Sequence, residues 1–351
     1  MKPKSSLVCL ALVLVLSPAG FIAPAATAAT YSNPVLDQDG DPYVLKSSDG
    51  KFYLYQPHEQ RVYCHSSKDL VHWAPAGPRT DGEIYNNIGH DDPKDPKHKV
   101  KALWAPEVHE VNGKYYMYYV SSMTGGADPD HTGNKDILVV EGTSPTQFDP
   151  DTRKVLLDGD YAFLDPTFFK DADGKMFLFF KWRGHSGTGS EIKGRRLADP
   201  KNFWDSTGGT VLLNSDQLVD KFGPGQMEHP SVDEKNGHYV LFFSYGDGNG
   251  TGDDAYKVFY AKATNPLGPY TLAAENPILY SGQSPGVRTP GATSTVRDGD
   301  NKLWMVYRQK KDRSAKRDLV VCIDRCVITD AGNVNITATH GTTETAPVPL
   351  P

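Results

Sequence analysis

Five times along its length the chain writes nearly the same phrase. DGKFYLYQ begins at Asp49, NGKYYMYYV at Asn112, DGKMFLFFK at Asp173, NGHYVLFFSY at Asn236 and DNKLWMVYR at Asp300. From Gly50 to Gly113 is 63 residues, from Gly113 to Gly174 is 61 and from Gly174 to Gly237 is 63; Asn301 takes the glycine's place 64 residues further on. Self-similarity at a fixed period signals a repeat architecture. Each phrase is a turn dipeptide followed by dense aromatic and β-branched residues, which reads as a hairpin turn entering a buried strand. Helical periodicity is weak, and 33 Gly and 26 Pro interrupt the chain too often for long helices. A unit of this length holds four short strands. Five such sheets set radially make an all-β fold, a five-bladed β-propeller, which leaves only short, protected edges. A β-sandwich or jelly roll is the competing reading, and five regular intervals argue against it.

The first residues stand outside this pattern. Lys2 and Lys4 precede an apolar run from Leu7 to Leu16, and Ala26-Thr27-Ala28 fits an A-x-A cleavage site. The segment 1–29 therefore reads as a secretory signal peptide, its apolar run being too short for a membrane span. Residues 30–340 read as a single propeller domain, and the polar, proline-containing stretch 341–351 as a flexible tail. A secreted, extracellular protein, expected as a monomer, follows. The formal charge of −6 falls to about −8 once Lys2 and Lys4 leave, which points away from nucleic acid or an anionic membrane as partner. Three cysteines remain after the leader: Cys64, Cys322 and Cys326. At most one bridge can form among them, and it is expected to join Cys64 to one of the others. Cys322 and Cys326 on one extended strand stand about 13 Å apart. Zinc is not expected from this spacing.

Nine residues before each turn marker lie Asp41, Trp104, Asp165, Glu228 and Ala292. Equivalent positions in a propeller point to one axis, so three of five blades are expected to bring a carboxylate to one level. Like charges in a shared cavity oppose one another, so burying three for stability alone is costly. Two carboxylates flanking a sugar bond are what glycoside hydrolysis uses, and a third can tune the acid. Elsewhere Asp-Pro starts ordinary turns, as at Asp95, Asp149 and Asp199. The acidic, glycine-rich stretches at Asp37, Asp171 and Gly246 lack the twelve-residue calcium loop and read as solvated turns. Asn249 and Asn335 open glycosylation sequons.

These residues resemble glycoside hydrolase family 43 over about residues 31–339. Asn33-Pro34 followed by Asp41-Pro42, WAPEV from Trp104, DPTFFKDADGK from Asp165, and Glu228 ahead of the fourth turn carry the resemblance, with SSKDLVHW from Ser66. The resemblance implies an inverting hydrolase with Glu228 as general acid, Asp41 as general base and Asp165 holding Glu228 in place and keeping its pKa raised. Inversion needs the acid and base roughly 6.5–9.5 Å apart. Trp104 is expected as an apolar wall beneath the sugar or as core. Glu107 either binds sugar hydroxyls or faces a neighbouring loop. Trp182 and Arg183 line the rim or form a surface pair. Arg317 resembles an arginine that reaches the pocket from the last blade, within a basic stretch that also reads as a solvated loop. Ala292 stands where many members carry a histidine that holds water or a metal ion, which puts an axial calcium or other ion in doubt, and no cofactor is assigned. The implied substrate is an oligo- or polysaccharide: arabinan, arabinoxylan or a xylo-oligosaccharide. An exo-acting α-L-arabinofuranosidase leads, then β-D-xylosidase, then endo-α-1,5-L-arabinanase. A sugar-binding propeller without catalysis is the non-enzyme alternative. A retaining fructan-acting relative fits poorly, because Glu228 is followed by His229 and Asp41 sits in GDPYV.

Overall fold

The computed structural model describes residues 29–38, 40–91, 99–123, 135–158, 162–183, 189–250, 252, 255–311 and 318–351. The expected leader lies, up to residue 28, outside them. Five antiparallel sheets follow one another. Blade one holds Tyr43–Lys46, Phe52–His58 and Arg61–Ser67; blade two Val100–Val111, Lys114–Met123 and Lys135–Ser144. Blade three holds Ala162–Lys170, Met176–Arg183 and Glu191–Asp199; blade four Gln226–Lys235, His238–Gly246 and Tyr256–Ala263. Blade five holds Gly291–Arg297, Leu303–Lys310 and Leu319–Arg325. Short outer strands complete blades one to four. Each first strand packs on the first strand of the next blade, and the fifth packs on the first, so the ring closes. Among the described residues no helix is long and apolar enough to cross a membrane.

The repeated phrase has a physical reason. It is the second strand of each blade, and that strand is covered on both faces. Leu178 and Phe180 enter the apolar cluster shared with blade two, while Phe177 and Phe179 enter the one shared with blade four. Phe242 and Phe243, Tyr118 and Tyr119 divide in the same way. Five such clusters, one per blade interface, make up the core. Alternate residues on both faces must then be apolar, which is why the phrases are continuous rather than alternating. Burying each such aromatic side chain contributes on the order of 1.5–3 kcal/mol.

The turns come in two kinds. In blades two and four a two-residue turn, Asn112-Gly113 or Asn236-Gly237, has both residues at positive φ, as a tight hairpin of this type needs. In blades one, three and five the turn is one residue longer and ends on Gly50, Gly174 or Asn301 at positive φ. Asp171 caps its turn by accepting from the Lys175 amide at 2.8 Å, the structural role read for the acidic stretch there.

The chain ends seal the ring. Val35 donates to the Val321 carbonyl at 2.9 Å and Leu36 accepts from the Val321 amide at 2.8 Å, giving blade five an edge from the opposite end of the sequence. The tail read as flexible is docked instead. Glu344–Thr345 pairs with Thr30–Tyr31, and Leu350 is buried with Tyr31, Phe52 and Trp304. Pro347 and Leu350 are buried there, with Ala346 packed against the same cluster, a burial that the stretch's polar composition concealed. The cysteines also correct the reading: all three are free and buried, Cys64 between blades one and two, Cys322 and Cys326 between blades four and five. Cys64 lies in a different cluster from the other two, and no bridge joins any of the three.

Candidate active site

Each inner strand is kinked where it nears the axis. Pairing with the second strand jumps from Trp104 to Glu107, from Leu164 to Thr167, from Glu228 to Ser231 and from Gly291 to Ser294. Within each jump one residue is left-handed: Ala105 at φ 43°, Asp165 at 53°, His229 at 49° and Ala292 at 49°. Such conformations cost non-glycine residues on the order of 1–3 kcal/mol and concentrate at functional sites. In blade one Asp41 takes this place after Gly40, where a Cβ would lie 2.6 Å from the Pro57 carbonyl oxygen. Asp41, Ala105, Asp165, His229 and Ala292, with Pro42, Pro106, Pro166, Pro230 and Thr293 behind them, surround an axial cavity of about 20 Å³. That is room for about one water molecule.

This ring corrects the register read nine residues ahead of each turn. Asp41 and Asp165 are in register as expected, and so is Ala292. Trp104 and Glu228 sit one residue earlier, beside Ala105 and His229. The shorter turns of blades two and four displace the count by one. Glu228 still reaches the site, but from the outer side of the kink.

Cations accompany the carboxylates. Lys181 and Arg308 come from equivalent positions on the second strands of blades three and five, paired with Leu164 and Gly291. The Lys181 ammonium, 2% exposed, donates to Glu228 Oε1 and Gln226 Oε1, both at 2.5 Å. Arg308 Nε lies 3.0 Å from Asp41 Oδ1. Tyr256 donates from its hydroxyl to Glu228 Oε2 at 2.9 Å. Its ring occupies the space beside Gly291, where any Cβ would come within 2.1 Å of it. His229 stands between the aspartates, its amide donating to Asp165 Oδ2 at 3.1 Å.

The electrostatics split the carboxyls. Burial pushes Glu228 up, but the Lys181 and His229 charges and the Lys181 and Tyr256 hydrogen bonds outweigh it and bring the carboxyl down to about 2. Asp165 goes the other way: burial raises it, opposed by His229 and reinforced by Glu228. Asp165 was expected to hold the Glu228 pKa up; Lys181 dominates there instead, because its ammonium touches the carboxylate directly.

The remaining sequence candidates are scattered. Glu107 lines the axial cavity but sits on the far side of the kinks, accepting from Thr167 at 2.5 Å and meeting His109 Nε2 at 3.1 Å. Trp104 is partly buried with the Lys135 ammonium 5.5 Å above its ring. Trp182 lies beneath Lys193 Nζ at 3.9 Å and packs on the cluster between blades two and three. Arg183 ends the second strand of blade three, paired with Ala162. Arg317 lies outside the described residues. Sequence reading missed Lys181, Arg308, His229 and Tyr256. The first two had a usable signal: each is seven residues after its turn marker, a position held by Pro57, Val120 and Ser244 in the other blades.

An axial metal finds no ligand set. Ala292 offers none, and among the described residues no three His, Cys, Asp or Glu side chains converge to hold one. The small axial cavity suits a water.

The sequence profile described as Glycosyl hydrolases family 43 matches residues 31–333. The chain belongs to glycosyl hydrolase family 43. It is 26% identical over 260 residues to the beta-D-galactofuranosidase xynD of Aspergillus niger, covering 68% of this chain and 66% of that protein. It is 25% identical over 222 residues to an extracellular exo-alpha-(1→5)-L-arabinofuranosidase of Streptomyces chartreusis, covering 62% of each. A probable arabinan endo-1,5-alpha-L-arabinosidase C of Aspergillus flavus is 28% identical over 306 residues, 81% of this chain and 88% of that one. The chain thus spans just under two thirds of the length of the first two relatives. The fold matches the crystal structure of a thermostable family-43 glycoside hydrolase with a TM-score of 0.72 at 24% identity, over 90% of this chain and 99% of that one.

Proposed function

We propose that this family 43 protein is a secreted, inverting glycoside hydrolase that releases terminal α-L-arabinofuranosyl units from plant polysaccharides or their oligosaccharides. The observation that carries the reading is the meeting of Asp41, Asp165 and Glu228, from three blades, with a fixed cation on two of them. Arg308 Nε, 3.0 Å from Asp41 Oδ1, sets a fixed positive charge beside the carboxylate that serves as general base. Asp41 takes a proton from water as its oxygen attacks the anomeric carbon. Glu228 gives a proton to the departing glycosidic oxygen from the opposite face. At rest Glu228 is ionised, so it must gain its proton in the substrate complex. A sugar in the mouth excludes water and disfavours the charged pair; the Lys181 ammonium at 2.5 Å is the nearest proton source. Relatives named as furanosidases support a furanose ring at the site.

The test is hydrolysis of aryl α-L-arabinofuranoside and aryl β-D-xyloside by the wild type and by Glu228→Gln and Asp41→Asn. The arabinofuranoside is the expected substrate, and each variant is expected to lose on the order of 10²–10⁴ of the rate. The first sugar released, followed by NMR, should show the inverted anomer. Activity on both glycosides surviving in either variant would remove the assignment. The relative with the widest coverage is named an endo-arabinosidase. Turnover of linear arabinan with none of either aryl glycoside would favour that reading.

A further inference from the structure

The kink ring holds three titratable side chains, Asp41, Asp165 and His229, and the mechanism above gives a step to Asp41 alone. His229 is the one that faces both aspartates. Its imidazole is set between the aspartates, Nε2 3.6 Å from Asp41 Oδ1 and Nδ1 3.7 Å from Asp165 Oδ1. Its side chain is 13% exposed and lines the water-sized axial cavity. These separations are slightly longer than hydrogen bonds, so a small rotation or one bridging water closes each. A neutral imidazole carries one N–H and one lone pair and serves as donor to one carboxylate; an imidazolium donates to both.

The fold alone does not ask for histidine here. Blades two and five make the same left-handed kink with Ala105 and Ala292. The surrounding charges do give it a role. Arg308 meets the same Asp41 oxygen at 3.0 Å, Lys181 meets Glu228, and Tyr256 caps the other Glu228 oxygen. Among the described residues Asp165 is the one of the three carboxyls with neither Lys181 nor Arg308 in an ion pair with it, and the His229 ring faces it, Nδ1 to Oδ1.

We propose that His229 is a positioning residue for the hydrolysis: it bridges Asp41 and Asp165, so that the base is held from two sides, by Arg308 and by the His229 ring, and the aspartates respond as one unit. This rests on the hydrolase reading above. His229 touches no reacting atom; it acts through Asp41.

The test uses the full mature chain. His229→Ala copies the residue of blades two and five, so the fold is expected to survive. Its kcat is expected to fall about 10- to 100-fold with KM nearly unchanged, because orientation of the base is lost rather than sugar contacts. Added imidazole should restore part of the rate in His229→Ala and none in Asp41→Asn. A second readout needs no turnover. The ring ¹⁵N signals of His229, assigned by their loss in His229→Asn, should move at Nε2 in Asp41→Asn and at Nδ1 in Asp165→Asn. Ring signals indifferent to both substitutions overturn the bridge, and so does a wild-type kcat and pH profile in His229→Ala. An inactive wild type with coupled ring signals would sink the hydrolase reading and leave the bridge standing.

Discussion

Glu228 and Glu107 are both half-buried glutamates carried to the axis by a kinked inner strand, yet they lie on opposite sides of the kink and behave oppositely. Glu228 faces the side where second strands bring Lys181, and it falls to about 2. Glu107 faces the other side, where burial raises it and His109, the Thr167 hydroxyl and the Phe168 backbone pull it part of the way back. Beyond Glu107 a separate cavity of about 440 Å³ opens at the far end of the axis, lined by Tyr43, His109, Phe168, Asp233 and Arg297. The same strand geometry thus makes two carboxyl environments. What separates them is Lys181, which stands opposite Leu164 at the blade-three kink and touches Glu228 alone of the two.

Removing that lysine should have the largest effect on the contrast. Lys181→Met leaves Glu228 without its cation in a buried setting, which typically costs about 3–5 kcal/mol when one partner of a buried pair is deleted. The sign with pH is definite. A depressed folded pKa contributes stability that is full above the ordinary carboxylate range and is lost as pH falls through the folded value, here from about 4.5 down to about 2. The deficit of Lys181→Met should therefore be largest at neutral pH and shrink toward pH 4, where the lone carboxyl protonates. Urea unfolding at both pH values measures this, and an equal deficit at each would show that Lys181 matters for packing rather than charge.

A smaller change should move the second partner of Glu228. Gly291→Ala puts a methyl into the Tyr256 ring, and overpacking of this kind costs about 1–3 kcal/mol. If the Tyr256 hydroxyl is displaced from Glu228 Oε2, kcat should drop about tenfold while substrate affinity stays near wild type. Comparison with Tyr256→Phe, which removes the hydroxyl without the clash, isolates the hydrogen bond. A Tyr256→Phe enzyme with the full wild-type rate would mean that this bond does not serve the acid.

Much of this architecture could be read from residues alone, because local chemistry repeats where the fold repeats. Gly50, Gly113, Gly174 and Gly237 mark turns that demand a left-handed residue, and the aromatic runs after them are strands buried on both faces. Asp41 and Asp165 followed from the same spacing. The one-residue error at Trp104 and Glu228 arose because Asn-Gly turns are shorter than those at Gly50 and Gly174, a difference visible in Asn112 and Asn236 but not weighed. Lys181 and Arg308 were hidden by their setting, since a cation after an aromatic run looks like a strand end reaching solvent. His229, Tyr256 and the docking of Leu350 depend on which blades meet, and no local pattern encodes that.

The smallest expected effect belongs to Glu107, and it decides whether the two sides of the axis are chemically separate. Glu107→Gln keeps the shape and still can accept from Thr167, but it removes the carboxylate that faces His109 Nε2. Because burial raises Glu107, the folded chain prefers its protonated form, so the carboxylate works against folding as pH rises through the folded value. A neutral glutamine escapes that cost but loses the attraction to His109, and the two should nearly cancel, leaving stability within about 1 kcal/mol of wild type. Hydrolysis should stay within about threefold, since the kinks stand between Glu107 and the Lys181–Glu228 pair. A loss of a hundredfold or more in Glu107→Gln, with its thermal unfolding unchanged, would instead join Glu107 to Asp41 and Asp165 as one charge system running through the axial cavity they share.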